Sequence, residues 1–363
     1  MGADLALFAL RCPQALPQLP LAQWDLLVRQ ARRAGVLARV AATLAQQGQL
    51  DRVPEGPKAH LVAAMLHAAT QQQEVRREVG HIAKAINRLG LDFTLLKGAA
   101  YVLGGLQAAR GREFSDVDIL VPKARINEVE ASLMLQGWAT THHDEYDQRY
   151  YREWMHELPP MQHLQRGTVL DVHHTILPET ARLKPDPALL LASSRPLPGL
   201  PGVRVLAPAD MALHSMTHLF HNEEMSHGLR DLSDLDLLLR EFGVRPSFWN
   251  ELLARARALD LLRPLYYGLW STQTLLQTPV DQRTWQQVQA DGPNPGLAPL
   301  MHALWSRALA THHASTTSVW TAPALFMLYV RAHWLRMPPL LLARHLTTKA
   351  VRRQTDKSDT AAR

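Results

Sequence analysis

Two aspartates within one apolar stretch are the strongest candidates in this chain for a catalytic or metal-binding pair. Asp116 and Asp118 alternate with Val117, Ile119 and Val121, an alternation that predicts a β-strand. Because side chains on a strand alternate between its faces, both carboxylates point the same way, with Cα atoms about 6.6–7 Å apart. Neighbouring carboxylates repel each other and resist burial, and a divalent cation between them removes both costs. The oxygen-only ligands predict Mg²⁺ (or Mn²⁺) rather than zinc.

A third acid lies on a second predicted strand. Residues 168–174, TVLDVHH, alternate so that Val169, Asp171 and His173 share one face. On these residues alone, Asp171 is best interpreted as an acid on a solvent-facing edge strand. His173 could either line a site or be an ordinary histidine with its hydrogen bonds satisfied.

The segment before the aspartate pair predicts a strand, a glycine turn and a short helix. The apolar run 93–96 ends in Lys97-Gly98, and a stretch of small residues then leads to a basic turn with Arg112. Lys97 and Arg112 have two interpretations that the residues leave equally open. They are either phosphate-binding cations or ordinary charges at the end of a strand.

Gly98 followed by a helix, with Asp-x-Asp on the next strand, resembles the polymerase-beta-like nucleotidyltransferase superfamily. The pattern LKGA at 96–99, followed by Arg112 and by DVDILV at 116–121, is similar to a bacterial family known as uncharacterised nucleotidyltransferases. The usual turn of the superfamily is Gly-Gly or Gly-Ser. This chain has Gly98-Ala99 instead and so lacks the hydroxyl that touches phosphate.

The resemblance implies a reaction in which an NTP donates NMP to an acceptor hydroxyl and releases pyrophosphate. Asp116 and Asp118 would hold two Mg²⁺ (or Mn²⁺) ions about 3.5–4 Å apart. In the superfamily a third carboxylate stands on the strand beside the Asp-x-Asp strand, and Asp171 matches that position. Asp171 would share one ion and take the proton of the acceptor hydroxyl.

The resemblance also implies a nucleotide-binding site made by Lys97, Gly98, Ala99 and Arg112. Backbone amides at Gly98-Ala99, at the start of a helix, would cradle phosphate. Lys97 and Arg112 would neutralise charge that develops on the leaving pyrophosphate. Lys97 could also compensate with its point charge for the missing hydroxyl.

We predict an α+β fold. A small mixed β-sheet forms a nucleotidyltransferase core with helices on one face, flanked by N-terminal and C-terminal helical regions. The expected parts are a helical region over 1–90, the core over 91–206, a helical domain over 207–353 and a disordered tail over 354–363. The boundary before 207 follows from a segment rich in proline, glycine and serine.

Apolar periodicity predicts the individual elements. The expected helices are two within 21–50, then 58–89, 123–136, 208–222, 228–242, 246–258, 261–277, 281–290, 297–312 and 321–348. Further strands are expected at 149–154 and 203–206.

Three histidines share one face of a predicted helix. His214, His218 and His221 lie at i, i+4 and i+7, a spacing that can hold zinc. The chain has no His-Glu-x-x-His motif and no cysteine nearby. We therefore interpret this face as polar residues that line a cleft rather than as a metal site.

The positive charge of the chain belongs to its C-terminal end. Residues 322–363 hold eight Lys and Arg and two Asp, and their balance, 8 − 2 = +6, equals the net charge of the whole chain. Such a segment could bind anionic lipid or nucleic acid. We favour a core-packed helix with a solvated basic face, the commoner arrangement for a run of charge.

Cysteine content and hydropathy predict the compartment. Cys12 is the single cysteine, so no intrachain disulfide can form. The N-terminus does not read as a signal peptide, and no run of about 18 apolar residues is present. We expect a cytoplasmic protein without a membrane span.

Two rival functions remain. The Gly98-Ala99 turn would also suit a non-catalytic nucleotide-binding regulatory module. The basic C-terminus would suit a toxin-like nucleotidyltransferase that modifies tRNA or a protein. The three acids favour chemistry, since a module without catalysis has no need of them. The preferred NTP, the acceptor (a small molecule, tRNA or a protein) and the oligomeric state do not follow from the sequence.

Overall fold

A mixed seven-stranded sheet lies at the centre of the computed structural model, which describes residues 3–141 and 155–338. The strands are β1 Phe93–Leu95, β2 Asp116–Leu120, β3 Trp138–Thr140, β4 Met161–His163, β5 Val169–His173, β6 Arg195–Pro196 and β7 Val203–Val205. Their order is β3-β4-β5-β2-β1-β7-β6. The pairs β2–β5 and β1–β7 are parallel, and the others are antiparallel. The mixed sheet among helices confirms the predicted α+β class.

Helices precede, interrupt and follow the strands. They are α1 Leu5–Arg11, α2 Leu21–Arg33, α3 Leu37–Gln46, α4 Glu55–Asn87, α5 Lys97–Leu103, α6 Ile126–Leu135, α7 Pro187–Ser193, α8 Pro208–His221, α9 Gly228–Phe242, α10 Pro246–Ala258, α11 Leu262–Leu276, α12 Gln282–Ala290, α13 Ala298–Ala308 and α14 Thr321–Arg336. Most of these helices have bounds close to the ranges predicted from apolar periodicity. The short α1 was not predicted, and the side chain of Asp4 caps it by accepting a hydrogen bond from the amide of Leu7 at 3.0 Å.

Two hydrophobic clusters hold these elements together. The smaller one joins α1, α2, α3 and the start of α4, and Leu229 of α9 also packs into it. The larger one is continuous from α4 through the sheet to α14. The sheet and the C-terminal helices therefore share apolar core residues, and the domain boundaries proposed at 90, 206 and 353 stay predictions.

Several short elements escaped the sequence prediction. Strands β3, β4 and β6 span two or three residues each, and no apolar run marks them as one marks β1. The strand expected at 149–154 and the tail expected at 354–363 lie outside the described residues.

The last described helix corrects two predictions. Helix α14 ends at Arg336 instead of continuing to 348, because Met337 precedes Pro338 and takes extended backbone angles, φ −132° and ψ 140°. Its expected basic face is also wrong within the described residues. Arg331 packs inward against the rings of Tyr267 and Trp305. The exposed side chains of this helix are apolar: Phe326, Met327, Tyr329, Val330 and Trp334.

Among residues 3–141 and 155–338, no helix is both long enough and apolar enough to cross a membrane.

Candidate active site

The register between β2 and β5 brings three acids together. Asp118 lies directly beside Asp171 in the parallel ladder, and Asp116 lies beside Val169. Because side chains alternate along each strand, Asp116, Asp118 and Asp171 share one face of the sheet. One carboxylate oxygen from each lies within 4.8 Å of those of the other two. This spacing is compatible with a shared metal ion.

Asp118 is the anchored member of the triad. Its side chain is 3% exposed, and its Oδ1 receives both Lys97 Nζ at 2.8 Å and His173 Nε2 at 3.0 Å. Burial alone would raise the pKa of Asp118. The charge of Lys97 and the hydrogen bond from His173 outweigh burial and hold that pKa well below its ordinary value. Asp118 is therefore ionised, and its second oxygen receives neither contact.

Without a cation, the ionised forms of Asp116 and Asp171 are electrostatically disfavoured. Burial, and then the charge of Asp118, raise the pKa of both, that of Asp171 to about 7 with a further contribution from Glu157. In the described part of the chain, Oδ1 of Asp171 is buried and has no hydrogen-bond partner. A buried unpaired oxygen among repelling carboxylates fits a hard divalent cation of the Mg²⁺ or Mn²⁺ class.

We expect Asp171→Asn to stabilise the metal-free protein at pH 8 by about 1–2 kcal/mol, because the isosteric amide removes a charge that burial and Asp118 both disfavour. Urea unfolding in EDTA measures this. Asp118→Asn is the matched control and should destabilise, since it leaves the charge of Lys97 without its partner. Destabilisation by Asp171→Asn would contradict the electrostatic account.

An unusual backbone angle directs Lys97 toward the acids. Lys97 has φ +44°, a left-handed conformation that costs a non-glycine residue about 1–2 kcal/mol. It stands where β1 turns into α5, and its ammonium reaches Asp118. The charges of Asp118 and Asp116 outweigh burial and raise the pKa of Lys97, so it stays protonated. The sequence placed Lys97 at a strand end but could not show this ion pair.

Gly98 is required by close packing. A Cβ at this position would meet Arg112 Nη1 at 2.3 Å and the ring of Phe114 at 2.6 Å. Arg112 cannot easily give way, because its Nε donates to Asp234 Oδ2 at 2.7 Å and its guanidinium lies over the Phe114 ring. The glycine therefore lets α5 begin against a fixed arginine.

We expect Gly98→Ala to destabilise the fold by about 1–3 kcal/mol, the usual cost of overpacking a filled site. Gly80→Ala is the matched control, because a Cβ there meets nothing within 4 Å. That substitution in the middle of α4 should stabilise by up to about 1 kcal/mol. Chemical denaturation of both variants separates the two effects, and equal behaviour would rule out the packing argument.

A buried ion cluster holds Arg112 in place. Asp234 on α9 lies 2.7 Å from Arg112 Nε and 2.6 Å from Arg39 Nη2, the latter a close ion pair without hydrogen-bond alignment. Arg39 also donates to the carbonyl of Ala108 at 2.6 Å. The cluster ties α3, the turn before β2 and α9 together. Arg112 thus lines the site while paired to Asp234, an arrangement that no local pattern indicated.

A cleft of about 170 Å³ opens beside Asp116. Its lining includes Lys97, Arg112, His218, Arg230 and Asp231. His218 lies on a cleft wall, as the sequence predicted for its helix face. Among the described residues, the groups whose spacing suits a metal do not include His214, His218 or His221. Lys97, Arg112 and Arg230 are each paired with a carboxylate, and they are the cations of this lining that a polyphosphate could contact.

Sequence reasoning missed two residues next to the acids. His156 and Glu157 lie within 138–165, a stretch rich in His, Tyr and acidic residues in which no one residue type or spacing indicated a role. A backbone bridge pairs Glu157 with His173 and brings both residues to the end of β5. Glu157 Oε2 lies 3.1 Å from His173 Nδ1.

Comparison with known proteins gives one family. Residues 20–277 match the model of a family described as uncharacterised nucleotidyltransferase. No curated protein matches the chain. Among solved structures, the chain is similar to the antibiotic-resistance factor ANT(2'')-Ia, with 16% identity over 56% of this chain and 98% of that one and a TM-score of 0.34.

Proposed function

Because the chain belongs to the uncharacterised nucleotidyltransferase family, we propose that it transfers NMP from an NTP to an acceptor hydroxyl in a reaction that depends on a divalent cation. The observation that carries the proposal is the set of three carboxylates within 4.8 Å on adjacent strands. A protein that only binds nucleotide has no use for acids that repel one another, one of them with a buried unpaired oxygen.

Asp116, Asp118 and Asp171 are the residues that would hold Mg²⁺ or Mn²⁺. When bound, such a cation neutralises phosphate charge and lowers the pKa of a hydroxyl. The acceptor oxygen forms a bond to the α-phosphorus as the bond to pyrophosphate breaks, and Asp171 takes the proton of the hydroxyl. Asp171 suits that role by position, because it lies directly beside Asp118 on the same face of the sheet.

The nucleotide would occupy the cleft beside Asp116. The first amides of a helix have no intrahelical partners, so those of Gly98 and Ala99 in α5 could donate to phosphate oxygens. Lys97 supplies positive charge next to Asp118. Arg112 lines the same cleft and would add charge toward the leaving pyrophosphate while Asp234 keeps its guanidinium oriented.

Label transfer is the direct test of this function. The purified protein would be incubated with each NTP labelled at the α-phosphate, Mg²⁺ and fractionated cell extract. The proposal expects label in one acceptor fraction, be it a small molecule, tRNA or protein, with release of unlabelled pyrophosphate. Label that appears equally with Asp116→Ala would overturn it, provided that circular dichroism shows an intact fold.

We expect NTP affinity to rise at least about tenfold, or 1.4 kcal/mol, on addition of Mg²⁺, because the cation joins the triphosphate to the carboxylates. Isothermal titration calorimetry with a non-hydrolysable NTP, with Mg²⁺ and with EDTA, measures the difference. Asp116→Asn should lose most of the enhancement while keeping the affinity seen in EDTA. Equal affinity in both buffers would favour the regulatory module over the enzyme.

A further inference from the structure

A second group of ligands lies beside the carboxylates and has a different chemistry. His156, Glu157 and His173 each offer one ligand atom, and these atoms lie within 4.8 Å of one another. Two imidazoles converge on the same carboxylate oxygen. Glu157 Oε2 is 3.1 Å from His173 Nδ1 and 3.8 Å from His156 Nε2. Ligands bound at about 2.0–2.1 Å to a tetrahedral ion stand about 3.3 Å apart, so the observed spacings bracket that value.

The inner nitrogen of this group lacks the partner that a buried ring needs. His173 is 4% exposed, and within residues 3–141 and 155–338 its Nδ1 makes no hydrogen bond. The 3.1 Å separation from Glu157 therefore brings two polar atoms together without hydrogen-bond alignment. A buried ring nitrogen rarely stays unsatisfied, and a metal ion would satisfy it.

We propose that His156, Glu157 and His173 form a binding site for a divalent transition metal of the zinc class, separate from the all-carboxylate site. Two imidazoles and one carboxylate suit zinc, cobalt or nickel, whereas Mg²⁺ prefers oxygen alone. Three protein ligands also leave room for a fourth from water or substrate. Nothing in the sequence pattern identified this group, since Glu157 and His173 become neighbours only through their backbone bridge.

The second site is connected to the first through one imidazole ring. His173 Nε2 lies 3.0 Å from Asp118 Oδ1, on the side of the ring opposite Nδ1. Histidines that ligate a metal commonly donate their other ring N–H to a carboxylate, which fixes the tautomer and the ring orientation. Here that outer carboxylate is Asp118. Occupancy of the transition-metal site would keep the N–H of His173 donating to Asp118. The transition-metal site would therefore orient Asp118 in the all-carboxylate site.

Cobalt binding tests the site without any need for nucleotidyl transfer. The full chain, stripped of metal, would be titrated with Co²⁺ in excess Mg²⁺, which keeps the carboxylate site filled. We expect about one equivalent of Co²⁺ with the visible absorption of a nitrogen-ligated ion. X-ray absorption on the wild type should show scattering from two imidazoles, a readout that does not depend on any variant folding.

Substitutions locate the bound ion. His156→Ala and Glu157→Gln should each lose the Co²⁺ spectrum, whereas Asp116→Ala should keep it. Asp118→Ala forms a matched pair with Asp116→Ala, because each removes one carboxylate from the triad. Only Asp118→Ala removes the outer partner of His173, and it should weaken Co²⁺ binding about 10–100-fold.

Three results would overturn the proposal. The first is that Co²⁺ does not bind in excess Mg²⁺. The second is that the X-ray absorption spectrum shows no scattering from imidazole. The third is that Co²⁺ stays bound in the variant His156→Ala. If Co²⁺ does not bind, His173 is a protonated ring between the carboxylates of Asp118 and Glu157 and not a metal ligand. None of these results bears on the label-transfer assay, so the two proposals can fail independently.

Discussion

Asp118→Asn should reduce nucleotidyl transfer by at least about 1,000-fold, the largest effect on activity that we expect from a single substitution. A bound cation supplies several kcal/mol of transition-state stabilisation, and each 1.36 kcal/mol corresponds to a factor of ten. Asp118 is the triad member held ionised by Lys97 and His173. The asparagine amide would present no negative charge to the cation. Its contacts with Lys97 and His173 would also weaken.

The measurement is the initial rate of label transfer under saturating NTP and Mg²⁺, with circular dichroism to confirm folding. Asp25→Asn is the control, because Asp25 is exposed and pairs with Arg29 across one helical turn. It should change the rate less than twofold, since exposed pairs contribute about 0.2–1 kcal/mol to stability and none to the site. A rate for Asp118→Asn within tenfold of wild type would exclude Asp118 as a metal ligand.

Asp234→Ala should lower the free energy of unfolding by about 3–5 kcal/mol, the largest stability effect that we expect. Asp234 is 2% exposed and is paired with both Arg112 and Arg39. Burial alone would raise the pKa of Asp234, but the charges of those two arginines outweigh burial and lower it. Its removal would leave two buried guanidinium groups without an anion, and a broken buried pair typically costs this much.

Urea denaturation followed by circular dichroism measures the loss. Asp25→Ala is the matched control, because Asp25 is exposed and also pairs with an arginine, Arg29 on the same helix. It should cost less than about 1 kcal/mol. If both variants lost similar stability, Asp234 would be an ordinary helix residue. Asp234→Ala should also weaken NTP binding, since Arg112 would lose its orientation.

Local chemistry in the sequence determined the strands and the direction of their acids. The alternation in 116–121 and in 168–174 predicts two strands, and strand geometry alone places Asp116 and Asp118 on one face. The long helix before β1 and most C-terminal helices follow from apolar periodicity in the same way. These features depend on residues within a few positions of each other, so the sequence suffices for them.

Contacts between distant segments arise only in the tertiary structure, although the family resemblance implied that Asp171 stands beside the strand of Asp116 and Asp118. The parallel register that sets Asp118 beside Asp171 joins residues 53 positions apart, and either strand could have paired at another offset. The pairing of Arg112 with Asp234 spans 122 positions, and no periodicity in either segment refers to the other. The same holds for His173, whose two ring nitrogens face Asp118 and Glu157. Such contacts arise from sheet register and helix packing, which bring together side chains that local patterns can only orient.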